Sequence, residues 1–155
     1  MSFQILALNN DQFSHLFGLD DDALEKQGVQ RKVVDSNPGF PCRVSLQDAE
    51  VGETVLLMNY EHQPMPTPFR ASHAIFVREF ATEANLERNE IPAMFRHRLL
   101  SVRAFDTAGM MVDADVVEGD CLEPLIERMF ANESANYLHI HNAKRGCYAA
   151  LVERG

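Results

Sequence analysis

Residues 137–152 read YLHIHNAKRGCYAALV, which is two runs of alternating side chains on either side of a basic turn. Such alternation is typical of β-strands with two different faces, so the stretch predicts an antiparallel hairpin. Tyr137, His139 and His141 share one face of its first strand. Because alternate residues of a strand lie roughly 7 Å apart, the two imidazoles can serve one substrate or one metal ion.

Short strands separated by polar turns recur along the chain. The pattern predicts further strands over residues 3–8, 29–34, 42–46, 53–60, 74–80, 98–105 and 110–117. Residues 61–70, EHQPMPTPFR, carry alternate prolines and predict an extended surface loop. Strands do not alternate regularly with helices, so we expect an α+β fold with a mainly antiparallel sheet. The 155 residues are the size of one ordinary domain, and we expect residues 1–155 to form one.

The clearest helical pattern lies over residues 121–131. Apolar residues recur there at helical spacing and form one stripe, Leu122, Leu125, Ile126, Met129 and Phe130. Asp120 is the expected N-cap, with Glu123 as its capping-box partner. We therefore expect a long amphipathic helix on the sheet, with one or two short N-terminal helices from residues 11–28 also packed on it.

Charge and composition exclude several classes of protein. Lys and Arg number 14 against 23 Asp and Glu, and the formal net charge of −9 disfavours nucleic acid and anionic lipid as partners. No apolar run approaches the roughly 20 residues of a membrane span. The N-terminal MSFQILALNNDQ lacks the basic and apolar regions of a signal peptide, so we expect a cytoplasmic protein with no membrane partner.

A metal site at the hairpin needs a third ligand from elsewhere in the chain. His73 is the first candidate for that ligand and His62 is the second. The spacing of His73, His139 and His141 matches no established metal-binding motif. The sequence therefore predicts no resident metal, keeps these three histidines as the alternative, and identifies no cofactor.

Cys147 is the most reactive-looking thiol, because the basic turn precedes it and positive neighbours stabilise a thiolate. A three-residue turn would pair His141 with Ala149 and place Cys147 on the histidine face, as a nucleophile requires. A four-residue turn would pair His141 with Tyr148 and direct the thiol to the apolar side. Both turns end at the same glycine, so the two alternatives stay open.

Other charged side chains have two expected roles. At the hairpin tip, Lys144 and Arg145 could hold a carboxylate or phosphate through charge-assisted hydrogen bonds. Asp113 and Asp115 share a strand face, as paired catalytic carboxylates would. A three-residue turn before them places Arg103 opposite Asp113, so we expect cross-strand partners to neutralise these carboxylates.

Four segments resemble a known family: PGFPCRVSLQDAEVGETVLLMNYEHQ, FRASHAIFVRE, RLLSVRAFDTAGMMVDADVVEG and YLHIHNAKRGCYAALVER. Their order over nearly the whole chain is similar to that of the bacterial domain-of-unknown-function 1203 family. The resemblance implies a stand-alone bacterial protein of about this length and carries over no catalytic role. Its segments include positions 42–43, 60, 72–73 and 139–148, which chemistry also singles out.

We expect a pocket lined by histidine and arginine that binds a small anionic molecule, in a binding protein or an enzyme. The catalytic candidates, with the histidines moving a proton near neutral pH, are His73, His139, His141 and Cys147. The ligand-binding candidates are Arg43, Tyr60, Ser72, Asn142, Lys144 and Arg145. The alternative is a non-catalytic protein-interaction module, a homodimer included, that uses the proline-rich loop or a sheet edge.

Overall fold

The computed structural model describes the whole chain, Met1–Gly155. Its strands are β1 (Phe3–Leu6), β2 (Gln30–Val33), β3 (Thr54–Gln63), β4 (Ala71–Arg78), β5 (Leu99–Phe105), β6 (Met111–Glu118), β7 (Tyr137–Asn142) and β8 (Tyr148–Arg154). Its α-helices are α1 (Asp21–Glu25), α2 (Ala93–Arg96) and α3 (Leu122–Ala131). One antiparallel sheet has the order β1-β8-β7-β5-β6 and a second has the order β2-β3-β4. The expected α+β fold with antiparallel pairing is confirmed, although two sheets replace one.

The β7–β8 hairpin forms the middle of the five-stranded sheet, because β7 also pairs with β5 and β8 also pairs with β1. The apolar residues of its alternating pattern are fully buried and belong to the main core, among them Leu138, Ile140 and Val152. They pack with the apolar stripe of α3, which is buried as the sequence predicts. The opposite face of the same strands carries the histidines.

The helix itself differs from the expectation. α3 spans 10 residues, Leu122–Ala131, so the amphipathic helix predicted over residues 121–131 forms but is not a long one. A 3₁₀ turn at Gly119–Cys121 precedes it, and no side chain caps its first turn. The expected capping-box residue, Glu123, instead forms an ion pair with Arg96 at 2.7 Å. No helix in the structure combines the length and the apolar character that a membrane span requires.

The three-stranded sheet has its own apolar cluster. The 3₁₀ turns at residues 10–16 and α1 place Phe13, Leu16 and Leu24 in that cluster, together with Leu56 and Ile75 of the small sheet. The short N-terminal helices thus pack on the second sheet and not, as predicted, on the main one. Asp20 caps α1, because its carboxylate accepts from the N–H of Ala23 at 2.7 Å.

Three strand predictions in the middle of the chain are inaccurate, and one of them, over residues 74–80, corresponds to β4 at Ala71–Arg78. Residues 42–46 form a turn with only isolated bridges from Pro41 and Cys42, so the predicted strand does not form. In contrast, β3 continues to Gln63, three residues beyond the predicted strand end and into the predicted loop. A bulge between Tyr60 and Gln63 bends this extension. Because a bulge adds a residue to one strand, it also redirects the side chains that follow it.

The register of β5 and β6 also differs from the prediction. Arg103 lies opposite Ala114, not opposite Asp113, because a bulge at the turn end of the pair shifts the register by one residue. A shift of one residue exchanges the two faces of a strand. Asp115 therefore lies on the helix side, where it accepts from Arg128 of α3 at 2.8 Å. Arg103 lies on the histidine face.

A buried carboxylate, Glu79, joins several elements of the small-sheet layer. It accepts from Nη2 of Arg31 at 2.7 Å, from the hydroxyl of Thr54 at 2.8 Å and from the N–H of Gly18 at 2.9 Å. These hydrogen bonds, that of Arg31 first, lower the pKa of Glu79 to about 2. The pKa is depressed in the folded state, so the stabilisation is complete above about pH 4.5 and is lost as the pH falls toward 2.

We expect Glu79→Gln to lower the free energy of unfolding by about 2 kcal/mol at pH 7, because Arg31 loses a buried charged partner. The difference from wild type should shrink below pH 4.5, where protonation removes the wild-type charge as well. Urea unfolding between pH 3 and pH 7 measures both effects. Glu61→Gln is the control, since Glu61 pairs with Arg70 at an exposed site and should change stability by about 0.5 kcal/mol or less. Equal losses in the two variants would contradict the prediction.

We expect Gly119→Ala to lower the free energy of unfolding by about 3 kcal/mol through overpacking. A Cβ atom at this position would lie 1.6 Å from the carbonyl oxygen of Phe95, and that backbone cannot move without displacing α2. Gly39→Ala is the matched control, because its added Cβ would meet only the rotatable hydroxyl of Ser36, at 2.8 Å. Denaturant titration compares the two, and a Gly39 variant as unstable as the Gly119 variant would be inconsistent with this account.

Candidate functional site

Three histidines from two sheets meet on the face of the main sheet that is opposite α3. His139 and His141 come from β7, and His62 comes from the end of β3. One ring nitrogen of each lies within 4.8 Å of those of the other two. His139 and His141 are buried, with 4% and 1% of their surface exposed, and His62 is half-buried.

Two contacts hold the end of β3 across β7 and β8. The imidazole of His62 stacks on the ring of Tyr148, with 5.3 Å between the ring centres and 3° between the planes. The next residue, Gln63, donates from Nε2 to the hydroxyl of Tyr137 at 2.8 Å. The bulge in β3 directs the ring of His62 toward the hairpin, and these two contacts hold it there.

Aromatic rings enclose the two histidines of β7. Tyr148 meets His139 edge-on with 5.1 Å between ring centres, and Phe105 lies 4.9 Å from His139 on the other side. Tyr137 stacks on Phe105 at 5.4 Å. Burial raises the pKa of the Tyr148 hydroxyl, so this ring is neutral at physiological pH. The rings exclude water from the imidazoles on several sides.

Hydrogen bonding fixes the tautomer of one histidine and leaves nitrogens of all three unpartnered. Nδ1 of His141 lies 2.9 Å from the carbonyl oxygen of Gly146. A carbonyl only accepts, so Nδ1 donates and Nε2 carries the lone pair. That Nε2 is buried without a partner, as are Nδ1 of His62 and Nδ1 of His139. Buried nitrogens without a protein partner are uncommon and call for another partner, such as water, a ligand or an ion.

The three imidazoles are neutral at physiological pH. Burial first, then the nearby charge of Arg103, lowers the pKa of His62 to about 4. Burial also lowers the pKa of His139 and of His141 to about 3, and for His141 the hydrogen bond to Gly146 opposes part of the shift. Neutral imidazoles accept hydrogen bonds or bind metal ions through their lone pairs.

Arg103 is the charged side chain beside this cluster. It lies directly opposite His139 in the β5–β7 pair, and its charge acts on all three histidines. Burial lowers its pKa. Its one side-chain hydrogen bond is a 3.4 Å contact to the hydroxyl of Ser101, and it forms no ion pair. A partly buried cation without a counter-ion therefore borders the histidines.

The surface next to Arg103 is open. Ala114 and Val116 of β6 are exposed on the same side of the sheet, because they lie opposite Arg103 and Ser101. Beyond them, the proline-rich loop contacts the β5–β6 turn, where the hydroxyl of Thr67 donates to the carbonyl of Gly109 at 3.2 Å. An exposed part of β6 therefore lies beside Arg103.

The structure does not bring all the predicted site residues together. His139 and His141 lie in the cluster, but His62 takes the place expected for His73. The Nδ1 atom of His73 lies 3.2 Å from the carbonyl of its neighbour Ala74. Ser72 is exposed on the same edge strand, β4.

Arg43 has a different role from the predicted one. It is 1% exposed, and it donates from Nε to the carbonyl of Tyr148 at 2.8 Å and from Nη1 to the carbonyl of Pro41 at 2.5 Å. Burial lowers its pKa, and the nearby Cys147 thiol opposes the shift. Arg43 therefore supports the backbone of β8 from inside the core and has no face open to a ligand.

The hairpin turn corresponds to the four-residue alternative, because His141 pairs with Tyr148. Cys147 is buried, and its sulfur accepts from Nδ2 of Asn142 at 3.4 Å, away from the three histidines. Lys144 and Arg145 are exposed at the tip of the turn.

Tyr60 and Asn142 lie at the margins of the site. The Tyr60 ring is 6.0 Å from that of Tyr148, so it continues the aromatic wall beside His62. Asn142 keeps a buried oxygen without a partner.

Sequence reasoning ranked His62 second to His73 as the third ligand and did not single out Arg103 or Tyr148 as site residues. His62 lay in the predicted proline-rich loop, although the alternation of Met58 and Tyr60 continues to it and could have extended the strand. Arg103 was predicted to lie opposite Asp113, because nothing in the local sequence marks the bulge that changes the register.

A separate cleft of about 380 Å³ lies on the small-sheet side, lined by ten residues that include Gln47, Glu53 and Arg78. Its charged groups have hydrogen-bond partners: Arg78 donates to Glu53 at 2.7 Å and to Gln47 at 3.0 Å, Glu79 accepts from Arg31, and Glu83 accepts from the N–H of Asn10 at 2.8 Å. The cleft therefore lacks the unpaired groups that distinguish the histidine cluster.

Comparison with known proteins places the cluster inside a recognised family. Neither the curated proteins nor the solved structures gave a match to this chain. A family profile described as "Protein of unknown function (DUF1203)" matches residues 39–154, which include every residue of the histidine cluster and Arg103. The match covers about three-quarters of the chain and confirms the resemblance drawn from the four sequence segments, so the chain belongs to the DUF1203 family.

Proposed function

We propose that the protein binds a small anionic molecule beside the histidine cluster, as a binding protein or an enzyme, with Arg103 as the anchor. The observation that carries this proposal is the partly buried guanidinium of Arg103, which has no acidic partner. Withdrawing a cation from water without a counter-ion is unfavourable, and a bound anion would offset that loss. The planar fork of arginine matches a carboxylate or a phosphate group.

Other arginines of the chain support this interpretation by contrast. Arg31, Arg96 and Arg98 each have a carboxylate within 2.7 Å. With a net charge of −9, the chain has an excess of acidic groups for such pairs. Arg103 nevertheless lies opposite His139, and its charge acts on the three imidazoles and on no carboxylate partner. An anchor for an exchangeable anion needs this arrangement, because a permanent carboxylate would compete with the ligand.

The histidines would act as neutral groups. A general base works best when its pKa is near the working pH. The pKa of His139 and of His141 is about 3, far below that range. This differs from the expectation of proton transfer near neutral pH, because burial was not visible in the sequence. We infer that the imidazoles contact the ligand through their lone pairs or N–H groups, or bind an ion that does so.

Two other expectations remain predictions. The exposed Lys144 and Arg145 are a second candidate anion site, although no buried group accompanies them.

A protein-interaction role is favoured by the edge strand β6, where Val112 and Val116 are 37% and 54% exposed. Sedimentation velocity tests that role, because a homodimer formed through β6 should dissociate when Val116 is replaced by Lys.

Titration with inorganic phosphate, followed by NMR of the arginine side-chain N–H groups and the backbone amides, tests the anion site. We expect saturable shifts for Arg103 and for its strand neighbours in β5 and β7. Arg103→Gln should weaken phosphate binding by about 10- to 100-fold, since a charged hydrogen bond contributes about 1.5–3 kcal/mol. Arg103→Lys should show an intermediate loss, because it keeps the charge but not the fork.

Arg145→Gln is the matched control. Arg145 is exposed and has no ion pair. Its replacement by Gln changes the net charge by the same amount as Arg103→Gln. Phosphate binding should survive in this variant. Saturable shifts confined to the hairpin tip and abolished by Arg145→Gln would instead place the anion there and refute the role of Arg103.

A further inference from the structure

We propose that His62, His139 and His141 bind a divalent first-row transition-metal ion. The ligands would be one nitrogen from each ring, and those nitrogens already lie within 4.8 Å of one another. The predicted alternative set used His73, which the fold replaces with His62. Imidazole nitrogens suit zinc, copper, iron and nickel, and zinc serves as the test ion.

The hydrogen-bonding state of the rings supports metal binding. The N–H at Nδ1 of His141 donates to the carbonyl of Gly146 at 2.9 Å, so the lone pair is on the buried, unpartnered Nε2. A metal-binding histidine usually donates its other N–H to a carbonyl or carboxylate in this way, which orients the ring. His62 and His139 add buried nitrogens without partners. A single ion gives a partner to several of these nitrogens at once, whereas a hydrogen bond gives a partner to only one.

The separation of the nitrogens requires only a small closure. Ligands at about 2.1 Å around a tetrahedral ion lie about 3.4 Å apart. The rings would therefore approach by up to about 1.4 Å, which side-chain rotation can supply. His62 has the most freedom to move, because it is half-buried and lies at a bulge. His139 and His141 are held by the sheet and provide the fixed part of the site.

The charge of the site indicates what else the ion would bind, and this part rests on the proposed function. Three neutral imidazoles leave the double positive charge of the ion uncompensated, and Arg103 adds another positive charge beside it. Three protein ligands also leave a coordination position open. An oxyanion that binds the ion through one oxygen and Arg103 through another would neutralise both. Zinc and phosphate should then strengthen each other's binding by the same factor, because such coupling is reciprocal.

Calorimetric titration of chelator-treated, untagged protein with zinc chloride tests the metal site. We expect saturation at a single ion per chain. His62→Gln and His141→Gln should each weaken zinc binding by more than the roughly 100-fold that loss of an outer-shell partner costs. His73→Gln is the matched control on the neighbouring strand and should bind zinc like wild type. Absence of saturable binding to wild type, or equal losses for His73→Gln and His62→Gln, would overturn the proposal.

X-ray absorption of the zinc-loaded wild-type protein tests the same site without any substitution. It therefore decides the question even if a variant at a buried histidine does not fold. We expect a first shell of nitrogen and oxygen at about 2.0–2.1 Å with imidazole scattering. Sulfur scatterers at about 2.3 Å would place the ion on cysteines such as Cys147 and refute the site.

Arg103→Gln separates the two proposals. This variant should still bind zinc, because its guanidinium is not a ligand, but zinc should no longer strengthen phosphate binding. If wild type binds zinc without any saturable phosphate site, the metal proposal stands and the anion proposal fails. If phosphate binds at Arg103 and zinc does not bind to the histidines, the reverse holds.

Discussion

The contact between the end of β3 and the β7–β8 hairpin underlies the rest of the site. His62 stacks on Tyr148, and Gln63 donates to Tyr137, so side chains join two sheets that share no backbone ladder. Without that contact, His139 and His141 would lie on an open sheet face. With it, they lose water on several sides and remain neutral, as their lowered pKa values reflect.

Burial determines the chemistry that these histidines offer. An exposed histidine can transfer protons near neutral pH, but a buried one without a carboxylate partner stays neutral and keeps its lone pair unprotonated. The site contains no acidic ion-pair partner for Arg103, although the chain as a whole carries excess negative charge. The same arrangement is therefore suited to a cation among the imidazoles and to an anion beside the guanidinium.

The fold holds some parts of the site more firmly than others. β7 lies between two strands of the main sheet, and α3 covers its other face. Arg43 supports the neighbouring strand β8 from within the core. His62 lies at the end of a bulged strand, and the proline-rich loop follows it. His62 is thus the least constrained of the three histidines.

Alternation along residues 137–152 was enough to predict the hairpin and to place His139 and His141 on one face, because the period of a strand is a local property. The stripe of residues 122–130 similarly predicted the buried face of α3, and the turn residues predicted most strand ends. The third histidine and the arginine could not be identified in this way. A bulge in β3 brings His62 to the hairpin, and a bulge in the β5–β6 pair removes Asp113 from the position opposite Arg103. Where a bulge forms depends on packing between residues far apart in the chain, so the tertiary structure alone completes the site.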